Sequence, residues 1–517
     1  MVFSSLEFFV FLAITLAVFF ATARFRNLNI QLYCLAIASL IFYGWWNPSY
    51  ILLILISVGV NYGFGRLLVI YRSPVLVSVA VSFNLALIGY YKYANFTVDT
   101  LLTTGIMSNG IDKIILPLAI SFFTFQQIAF VVDVYRGREG ESSFLKYLVF
   151  VIFFPQLIAG PIVHYKQTIP QLTRENMFGA VAQNLAVGFT YFSFGLFKKL
   201  VIADGIATYS TPVFLAADSG AAITFLEAWC ATLAYTFQIY FDFSGYSDMA
   251  IGIARMFGVK LPINFNSPYK AASIIDFWRR WHITLSEFLR EYLYIPLGGS
   301  RNGELQRYCN ILIVMILGGI WHGAGWTFIM WGVFHGGMIL INHAYRDFKS
   351  RKYGTSPDSV PGSIMASLTT VFVFILVAVS WVPFRSETID GAFKMLRAMS
   401  GVDGVVLPPT YQAATSAILQ SIGIPATYQT LNYFDGRGQI GYYAVLLAII
   451  WILPNTHQIM RHHDPVLNPP KPPQSVWERY IIWRPTPASA ALIALGYLAS
   501  AYMIFIGRQN EFLYFQF

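Results

Sequence analysis

Apolar runs long enough to cross a lipid bilayer recur from one end of the chain to the other. A membrane-spanning helix needs about 20 mostly apolar residues. The run over 224–257 is long enough for one long span or two short ones. The pattern predicts spans over 6–23, 30–46, 50–70, 74–91, 114–132, 180–204, 224–257, 308–320, 326–345, 364–384, 440–454 and 486–506. We therefore expect an all-α polytopic membrane protein with roughly 11–13 transmembrane or re-entrant helices.

Two stretches break this pattern. The first, 145–170, contains prolines at Pro155 and Pro161, and the second, 261–307, alternates aromatic residues with arginines, glutamates and a lysine. Polar or irregular backbone survives at membrane depth only inside protein or beside a water-filled cavity. Both stretches are therefore predicted to be re-entrant or interfacial helices around a central chamber.

The charges in the chain define its expected orientation. The 517 residues are 56% hydrophobic and 11% charged, with a net charge of +9, whereas soluble domains contain roughly 25% charged residues. Lys and Arg occupy every second loop, as at Arg24, Arg72 and Arg136, while the turn at 47–49 has no charge. This distribution is typical of the positive-inside rule and gives no reason to expect a nucleic-acid partner. It predicts that both termini lie outside the cytoplasm.

The chain lacks the sequence motifs of several common classes of binding and catalytic site. It contains no phosphate-binding glycine loop, no dinucleotide fingerprint and no HExxH sequence. Its three cysteines, Cys34, Cys230 and Cys309, are far apart and lie in or near apolar stretches, so neither a redox pair nor a zinc site is predicted. We expect no bound metal.

Two histidines are the strongest candidates for chemistry. His282 ends the sequence FWRRWH at 277–282, and His322 lies between glycine pairs in GGIWHGAGW at 318–326. An ionisable side chain within a membrane segment is costly unless it lines a wet cavity or meets a partner, so it is a functional hypothesis by default. The glycines around His322 would allow a tunnel to pass. The alternative is a core histidine satisfied by one hydrogen bond.

The residues preceding His282 combine two guanidinium groups with two indole rings. Arg279 and Arg280, flanked by Trp278 and Trp281, suit a vestibule for an anionic cofactor, because arginine pairs with phosphate and stacks on aromatic planes. The same residues suit an interfacial anchor, with Trp at the lipid headgroups and Arg against anionic lipid. Their chemistry alone leaves both interpretations open.

Several sequence motifs together resemble the membrane-bound O-acyltransferase family, in particular its bacterial branch that acetylates alginate, cellulose and peptidoglycan. The resemblance covers most of residues 1–390. The matching stretches are LPLAISFFTF at 116–125, DVYRG at 133–137, LIAGP at 157–161, FDFSGYSDMA at 241–250, FWRRWH at 277–282, YLYIPLGG at 292–299, WHG at 321–323 and WVPFR at 381–385.

The resemblance implies a helical bundle around a tunnel, with His322 and His282 as the family's two catalytic histidines. It implies acetyl-CoA as the donor, held near Trp278, Arg279, Arg280 and Trp281, with no cofactor bound permanently. The terminal FLYFQF at 512–517 is similar to an aromatic motif of this branch, which implies that Tyr514 carries the acyl group in transit. An aromatic belt at the membrane interface is the alternative for Tyr514.

The same resemblance implies how the chain is organised and where it acts. Residues 1–390 would form the catalytic core, and 391–517 a periplasmic connection, two further spans and the aromatic motif. We expect a bacterial inner-membrane protein, in contact with lipid, whose partners are a periplasmic acetyltransferase and a polysaccharide acceptor. The alternatives are a transporter or channel without chemistry, and an acyltransferase acting on lipid or protein.

Overall fold

Helices make up most of the computed structural model, which describes residues 1–138, 140–353, 363–467, 469 and 476–506. The helices of the first part are α1 (Leu6–Ala21), α2 (Leu28–Gly44), α3 (Ser49–Tyr71), α4 (Pro74–Ile88), α5 (Ala94–Thr103), α6 (Ile120–Tyr135), α7 (Phe144–Ile152), α8 (Phe154–Leu157), α9 (Tyr165–Thr168), α10 (Arg174–Phe178), α11 (Val181–Phe197) and α12 (Asp204–Asp218).

The second part continues the bundle. Its helices are α13 (Phe225–Met256), α14 (Ile274–Trp278), α15 (Ile283–Leu289), α16 (Glu304–His322), α17 (Trp326–Tyr353), α18 (Ser363–Arg385), α19 (Ile389–Ser400), α20 (Gln412–Ser421), α21 (Arg437–Ile452), α22 (Thr456–Ile459), α23 (Val476–Tyr480) and α24 (Pro487–Phe505). Two short parallel strands, β1 (Val405–Leu407) and β2 (Ala426–Tyr428), pair with Val405 opposite Ala426. Sequence analysis did not predict this pair.

The helices confirm a multi-pass membrane protein. Within the described residues, six helical stretches are long and apolar enough to cross a bilayer, and α2, α6 and α21 are shorter apolar helices. The predicted run 224–257 is a single helix, α13, of 32 residues, or about 48 Å at 1.5 Å per residue. The six stretches are Leu6–Arg24, Ser49–Tyr71, Pro74–Thr103, Val181–Asp218, Ile364–Arg385 and Pro487–Phe505.

Within the described residues, three helical passages widen into π-helical turns, and two of these turns carry a buried lysine into the protein. The turns are Gly89–Tyr93 between α4 and α5, Lys198–Ala203 between α11 and α12, and Arg290–Tyr294 after α15. Single π-turns inside helices are frequently found at functional sites. The ammonium of Lys199 in the second turn lies 3.1 Å from Asp242 of α13, deep inside the bundle.

Close approach of α11 and α13 is made possible by glycines. A Cβ on Gly195 would lie 2.4 Å from the carbonyl oxygen of Gly245, and one on Gly252 would lie 2.5 Å from that of Gly188. These distances are shorter than any normal contact, so only glycine fits at the crossing. The two helices form the most extensive contact of the bundle and position the motif at 241–250.

Contacts between connecting segments define two faces of the molecule. On the face that we call the basic face, the described parts of the segments 22–27, 136–180, 257–303 and 453–486 meet: Arg174 donates to the carbonyl of Ala23 at 3.0 Å, and Lys270 donates to that of Leu453 at 2.9 Å. On the opposite face, the turn 45–48 and the segments 104–119 and 386–436 meet the helix ends. This alternation agrees with the predicted sorting of positive charge.

The two stretches predicted to be re-entrant do not form simple spans. Residues 144–168 form the short helices α7, α8 and α9, and residues 257–303 form α14 and α15 within irregular backbone. Much of both stretches is buried within the protein, including Gln156 and Asn264, each with no exposed surface. This burial is what irregular backbone at membrane depth requires.

Candidate active site

His322 is the last residue of α16, and the helix ends there because Gly323 has an extended backbone (φ −158°, ψ 150°). The following helix, α17, folds back at very close distance. A Cβ on Gly319 would lie 2.3 Å from the carbonyl oxygen of Phe328, and one on Gly332 would lie 2.5 Å from that of Met315. Gly319, one turn before His322, therefore allows the close approach of α16 and α17, and the passage of a tunnel beside His322 stays a prediction.

His282 is held by an unusual backbone conformation. It lies between α14 and α15 with φ +43° and ψ 54°, in the left-handed region that favours glycine. Its ring is fully buried and packs edge-on against Phe243 of α13, with ring centroids 4.8 Å apart. Among the described residues, neither ring nitrogen of His282 has a hydrogen-bond partner. Such strained, buried polar groups occur preferentially at functional sites.

The two histidines meet inside the bundle. Their ring centroids are 6.3 Å apart, although the residues are 40 positions apart in sequence and lie on segments that enter from different directions. Trp321 packs against both, at 6.0 Å from the His282 ring and 5.0 Å from the His322 ring. Trp331 and Phe384 complete an aromatic wall around His322, each at 5.2 Å.

A cavity of about 110 Å³ lies beside His322. Its lining includes Trp46, from the turn 45–48, and the segment 116–122, at the start of α6. Both belong to the opposite face, so the cavity connects His322 with that face. The remaining lining residues are Lys92, Ile158 and Trp321. A small molecule or a side chain entering from this direction would meet the imidazole of His322.

The aromatic residues of the FWRRWH sequence are largely internal. Trp281 is 3% exposed and packs against Phe277 and Trp381, at 5.6 and 4.9 Å between ring centroids. The indole of Trp278 donates to Nδ1 of His335 at 3.3 Å. Trp281 is therefore a packed core residue, whereas Trp278 is half-buried and keeps part of its surface exposed.

The two arginines lie on the basic face, away from this aromatic core. Arg279 is exposed at the end of α14, and Arg280 pairs through Nε with Asp276 at 3.0 Å. Exposed guanidinium groups can bind phosphate on the basic face. Among the four residues of the predicted vestibule, the structure therefore buries the indole of Trp281, half-buries that of Trp278 and leaves the two guanidinium groups at the surface.

His335 is satisfied by a local network. Its Nε2 lies 2.9 Å from the hydroxyl of Ser380, which donates to the carbonyl of Val377, and its Nδ1 accepts from Trp278. Nδ1 as acceptor and Nε2 as donor define the neutral tautomer. Trp331 packs between the rings of His322 and His335, with centroid distances of 5.2 and 4.7 Å. His335 is thus a packed histidine behind the site.

One residue of the site was missed by sequence analysis. Lys92, in the first π-helical turn, is 8% exposed, lines the cavity and donates through Nζ to the carbonyls of Trp321 and His322. The signal was present, as a lone lysine in the run Ile88–Tyr93. It lies one residue beyond the span predicted over 74–91, whereas the helical stretch continues to Thr103.

Comparison with known proteins decides the family. Residues 138–381 match the model of the membrane-bound O-acyltransferase family. A peptidoglycan O-acetyltransferase of Helicobacter pylori is 39% identical, over 93% of this chain and 91% of its own length. The chain belongs to the membrane-bound O-acyltransferase family. It is a membrane-bound O-acyltransferase, and this favours the enzyme over a channel without chemistry.

Other members of the family resemble the chain over a smaller share. A probable alginate O-acetylase of Azotobacter vinelandii is 41% identical, over 77% of this chain and 78% of its own. A teichoic acid D-alanyltransferase of Streptococcus thermophilus is 30% identical, over 46% of this chain and 59% of its own. His282, His322 and the vestibule residues all lie within the segment matched by the family model.

Two of the predicted features have no structural outcome. Tyr514 lies outside the described residues, so its relation to the cavity stays a prediction. Within the described residues, no group of three or more His, Cys, Asp or Glu side chains could hold a metal ion. The groups that line the cavity include the imidazole of His322 and the amine of Lys92.

Proposed function

We propose that this protein transfers an acetyl group from acetyl-CoA, on the basic face, to an acceptor that reaches His322 from the opposite face. The product would be an O-acetylated extracytoplasmic polysaccharide. The observation that carries the proposal is the pair of buried imidazoles, 6.3 Å apart, with His322 beside a cavity toward the opposite face. The names of the relatives, which acetylate peptidoglycan and alginate, support an acetyl group and a polysaccharide.

The basic face is the side on which an anionic donor would be held. Arg279 is exposed there, and Arg280 is within reach of the same surface. Guanidinium groups pair with phosphate in a bidentate geometry, and CoA carries phosphates at the end remote from its thioester. By the positive-inside rule this face is cytoplasmic, which is where acetyl-CoA is made. The thioester arm would enter the bundle toward His282.

The reaction that we infer is direct acyl transfer with His322 as general base. Its imidazole takes the proton of an acceptor hydroxyl while the oxygen attacks the thioester carbonyl. The new C–O bond forms, the C–S bond breaks, and the imidazolium returns its proton to the departing CoA thiolate. A hydroxyl is a far weaker acid than an imidazolium, so proton transfer accompanies attack. No net proton is consumed.

The acceptor that we propose for this step is the hydroxyl of Tyr514, which yields an acetyl-tyrosine. In a second transfer a polysaccharide hydroxyl would attack this ester, and its proton would return to the tyrosine oxygen. A periplasmic acetyltransferase partner would guide the second step. The helix α24 that precedes Tyr514 runs from the basic face toward the opposite face, which supports the chain end's access to the cavity from that side.

Release of CoA by the purified full-length protein tests the acyltransferase step. In lipid nanodiscs with acetyl-CoA, the wild type should release free thiol, and His322→Ala should release none above background. His462→Ala, which changes an exposed histidine on the basic face, is the matched control and should behave as wild type. Equal thiol release by wild type and His322→Ala would contradict the proposal.

Mass spectrometry of the C-terminal peptide tests the carrier. After incubation with acetyl-CoA, the peptide containing Tyr514 should gain one acetyl group, and Tyr514→Phe should abolish both this mass shift and polysaccharide acetylation. Tyr502→Phe, an exposed tyrosine of α24, controls for loss of an aromatic hydroxyl nearby. Full acetylation of the polymer by Tyr514→Phe would overturn the carrier while leaving the acetyl-CoA reaction intact.

A further inference from the structure

The C-terminal end of α16, where His322 lies, is held by another helical passage. The last carbonyls of any α-helix have no partner within the helix and need donors from elsewhere. Here the carbonyl of Ile320 accepts from the hydroxyl of Tyr93 at 2.7 Å. The carbonyls of Trp321 and His322 both accept from Nζ of Lys92, the latter at 3.1 Å. Two adjacent residues of one π-turn thus supply three of the bonds at this helix end.

This arrangement replaces the usual helix termination. Many helices end on a glycine in the left-handed conformation, whose amide closes the last turn. Gly323 follows His322 but is extended, with φ −158°, and its amide gives only a long 3.4 Å bond to the carbonyl of Gly319. The position of the His322 backbone therefore depends on Lys92 and Tyr93. These residues are about 230 positions away in sequence.

Burial of the Lys92 ammonium group at this depth costs free energy unless the group has partners there. An amine inside a membrane protein is costly unless it meets partners or a wet cavity. Lys92 does both, since it donates to two carbonyls and lines the same cavity as His322. Its Nζ also lies 5.8 Å from the ring centre of Trp321, the indole that packs against both histidines. The π-turn Gly89–Tyr93 is the local distortion of the α4–α5 passage that carries it.

We propose that Lys92 is a positioning residue for acyl transfer: by binding the carbonyls of Trp321 and His322, it fixes the His322 imidazole at the cavity. This inference rests on the proposed role of His322 as general base. Misplacement of a catalytic group by about 1 Å can lower a rate by about 100-fold. The loss should therefore appear in kcat, since the donor is bound on the basic face, at the other end of the site.

The test compares Lys92→Met, Lys92→Arg and Lys113→Met in nanodiscs, with acetyl-CoA as the varied substrate and with a polysaccharide acceptor present, so that the acetyl group leaves Tyr514 and the enzyme turns over. Lys92→Met keeps the length and apolar stem of the side chain but removes its donors, so kcat should fall roughly 10- to 100-fold, with KM for acetyl-CoA within about twofold of wild type. Lys92→Arg, which keeps donors, should recover a large part of kcat. Lys113, exposed in the segment 104–119 of the opposite face, is the matched lysine, and its variant should match wild type.

The outcomes separate this inference from the proposed function. If His322→Ala and wild type release CoA equally, the proposed function fails. If His322→Ala is inactive but Lys92→Met keeps the wild-type kcat, only the role of Lys92 is overturned. Should Lys92→Met fail to accumulate, Lys92→Gln takes its place, because its shorter side chain cannot hold both carbonyls. A wild-type kcat in Lys92→Gln would likewise overturn the inference.

Discussion

The two histidines of the site are held in opposite ways. His322 ends a regular helix of 19 residues, and hydrogen bonds from Lys92 and Tyr93 fix its last turn. His282 lies in an irregular segment, in a left-handed backbone conformation, with ring contacts but no hydrogen-bond partner for its ring among the described residues. Under the proposed function, the rigidly placed residue, His322, is the one that would meet the acceptor. His282, whose ring nitrogens have no partner among the described residues, is the one that would form a new hydrogen bond with the donor.

Removal of the His322 imidazole should have the largest effect. Loss of a general base costs roughly 100- to 10,000-fold in rate, so His322→Ala should lower kcat by about 1,000-fold, the middle of this range, in the thiol-release assay. The unfolding temperature in detergent should stay near wild type, because Trp331 and Phe384 still enclose the site. A residual kcat within tenfold of wild type would mean that another group accepts the proton.

Substitution of His282 should have a smaller effect that depends on the replacement. Asn tolerates the left-handed backbone much better than Ala, and its amide can still hydrogen-bond a thioester or its amide-containing arm. We expect kcat to fall about 10-fold in His282→Asn and about 100-fold in His282→Ala. Equal activities in the two variants would show that neither the backbone strain nor a polar group at this position matters.

The bundle was largely predictable from the sequence, because each lipid-facing helix must carry its own apolar run. The two re-entrant stretches were also predictable, since their prolines and arginines are incompatible with a simple span. What the sequence did not reveal was the role of Lys92, which lies just beyond the predicted span 74–91. A lysine within a helix and a lysine at its end look alike in a single sequence. Only the partner carbonyls, contributed by Trp321 and His322, distinguish them.

Two long-range contacts could not be predicted from the sequence. These are the approach of the two histidines and the pairing of the two β-strands. The local pattern of the FWRRWH segment does not predict that it folds back to place His282 against Phe243. That contact depends on the packing of α13. The pairing of Val405 with Ala426 likewise joins two three-residue segments that are too short to carry an alternating pattern. Long-range contacts of this kind leave no local trace in composition.

The close packing of α16 against α17 allows a third comparison, between the catalytic histidines and the helix packing that holds His322 in place. Gly332→Ala places a methyl group 2.5 Å from the carbonyl oxygen of Met315, and such overpacking costs about 1–3 kcal/mol. We expect a clear drop in the unfolding temperature and a kcat loss smaller than that of either histidine variant. Gly337→Ala on the same helix, where a Cβ meets nothing within 4 Å, should change neither quantity.

The arginines of the basic face should affect binding alone. Arg279→Gln removes an exposed charge, so we expect KM for acetyl-CoA to rise about three- to tenfold, with kcat unchanged, as for loss of uniform binding. The rise should shrink at high salt, which screens the wild-type contact. Arg397→Gln is the matched control on the opposite face, where Arg397 forms an exposed pair with Asp403 at 2.7 Å.

The two arginine variants together test which face of the protein binds the donor. Their expected effects are the smallest of those described. Exposed ion pairs contribute little to stability, so neither Arg279→Gln nor Arg397→Gln should alter folding, and any change in KM reflects where the donor approaches. A higher KM in Arg279→Gln alone supports donor binding on the basic face. A higher KM in Arg397→Gln alone would mean that the donor approaches from the face of the His322 cavity, and the proposed direction of acyl transfer would then be reversed.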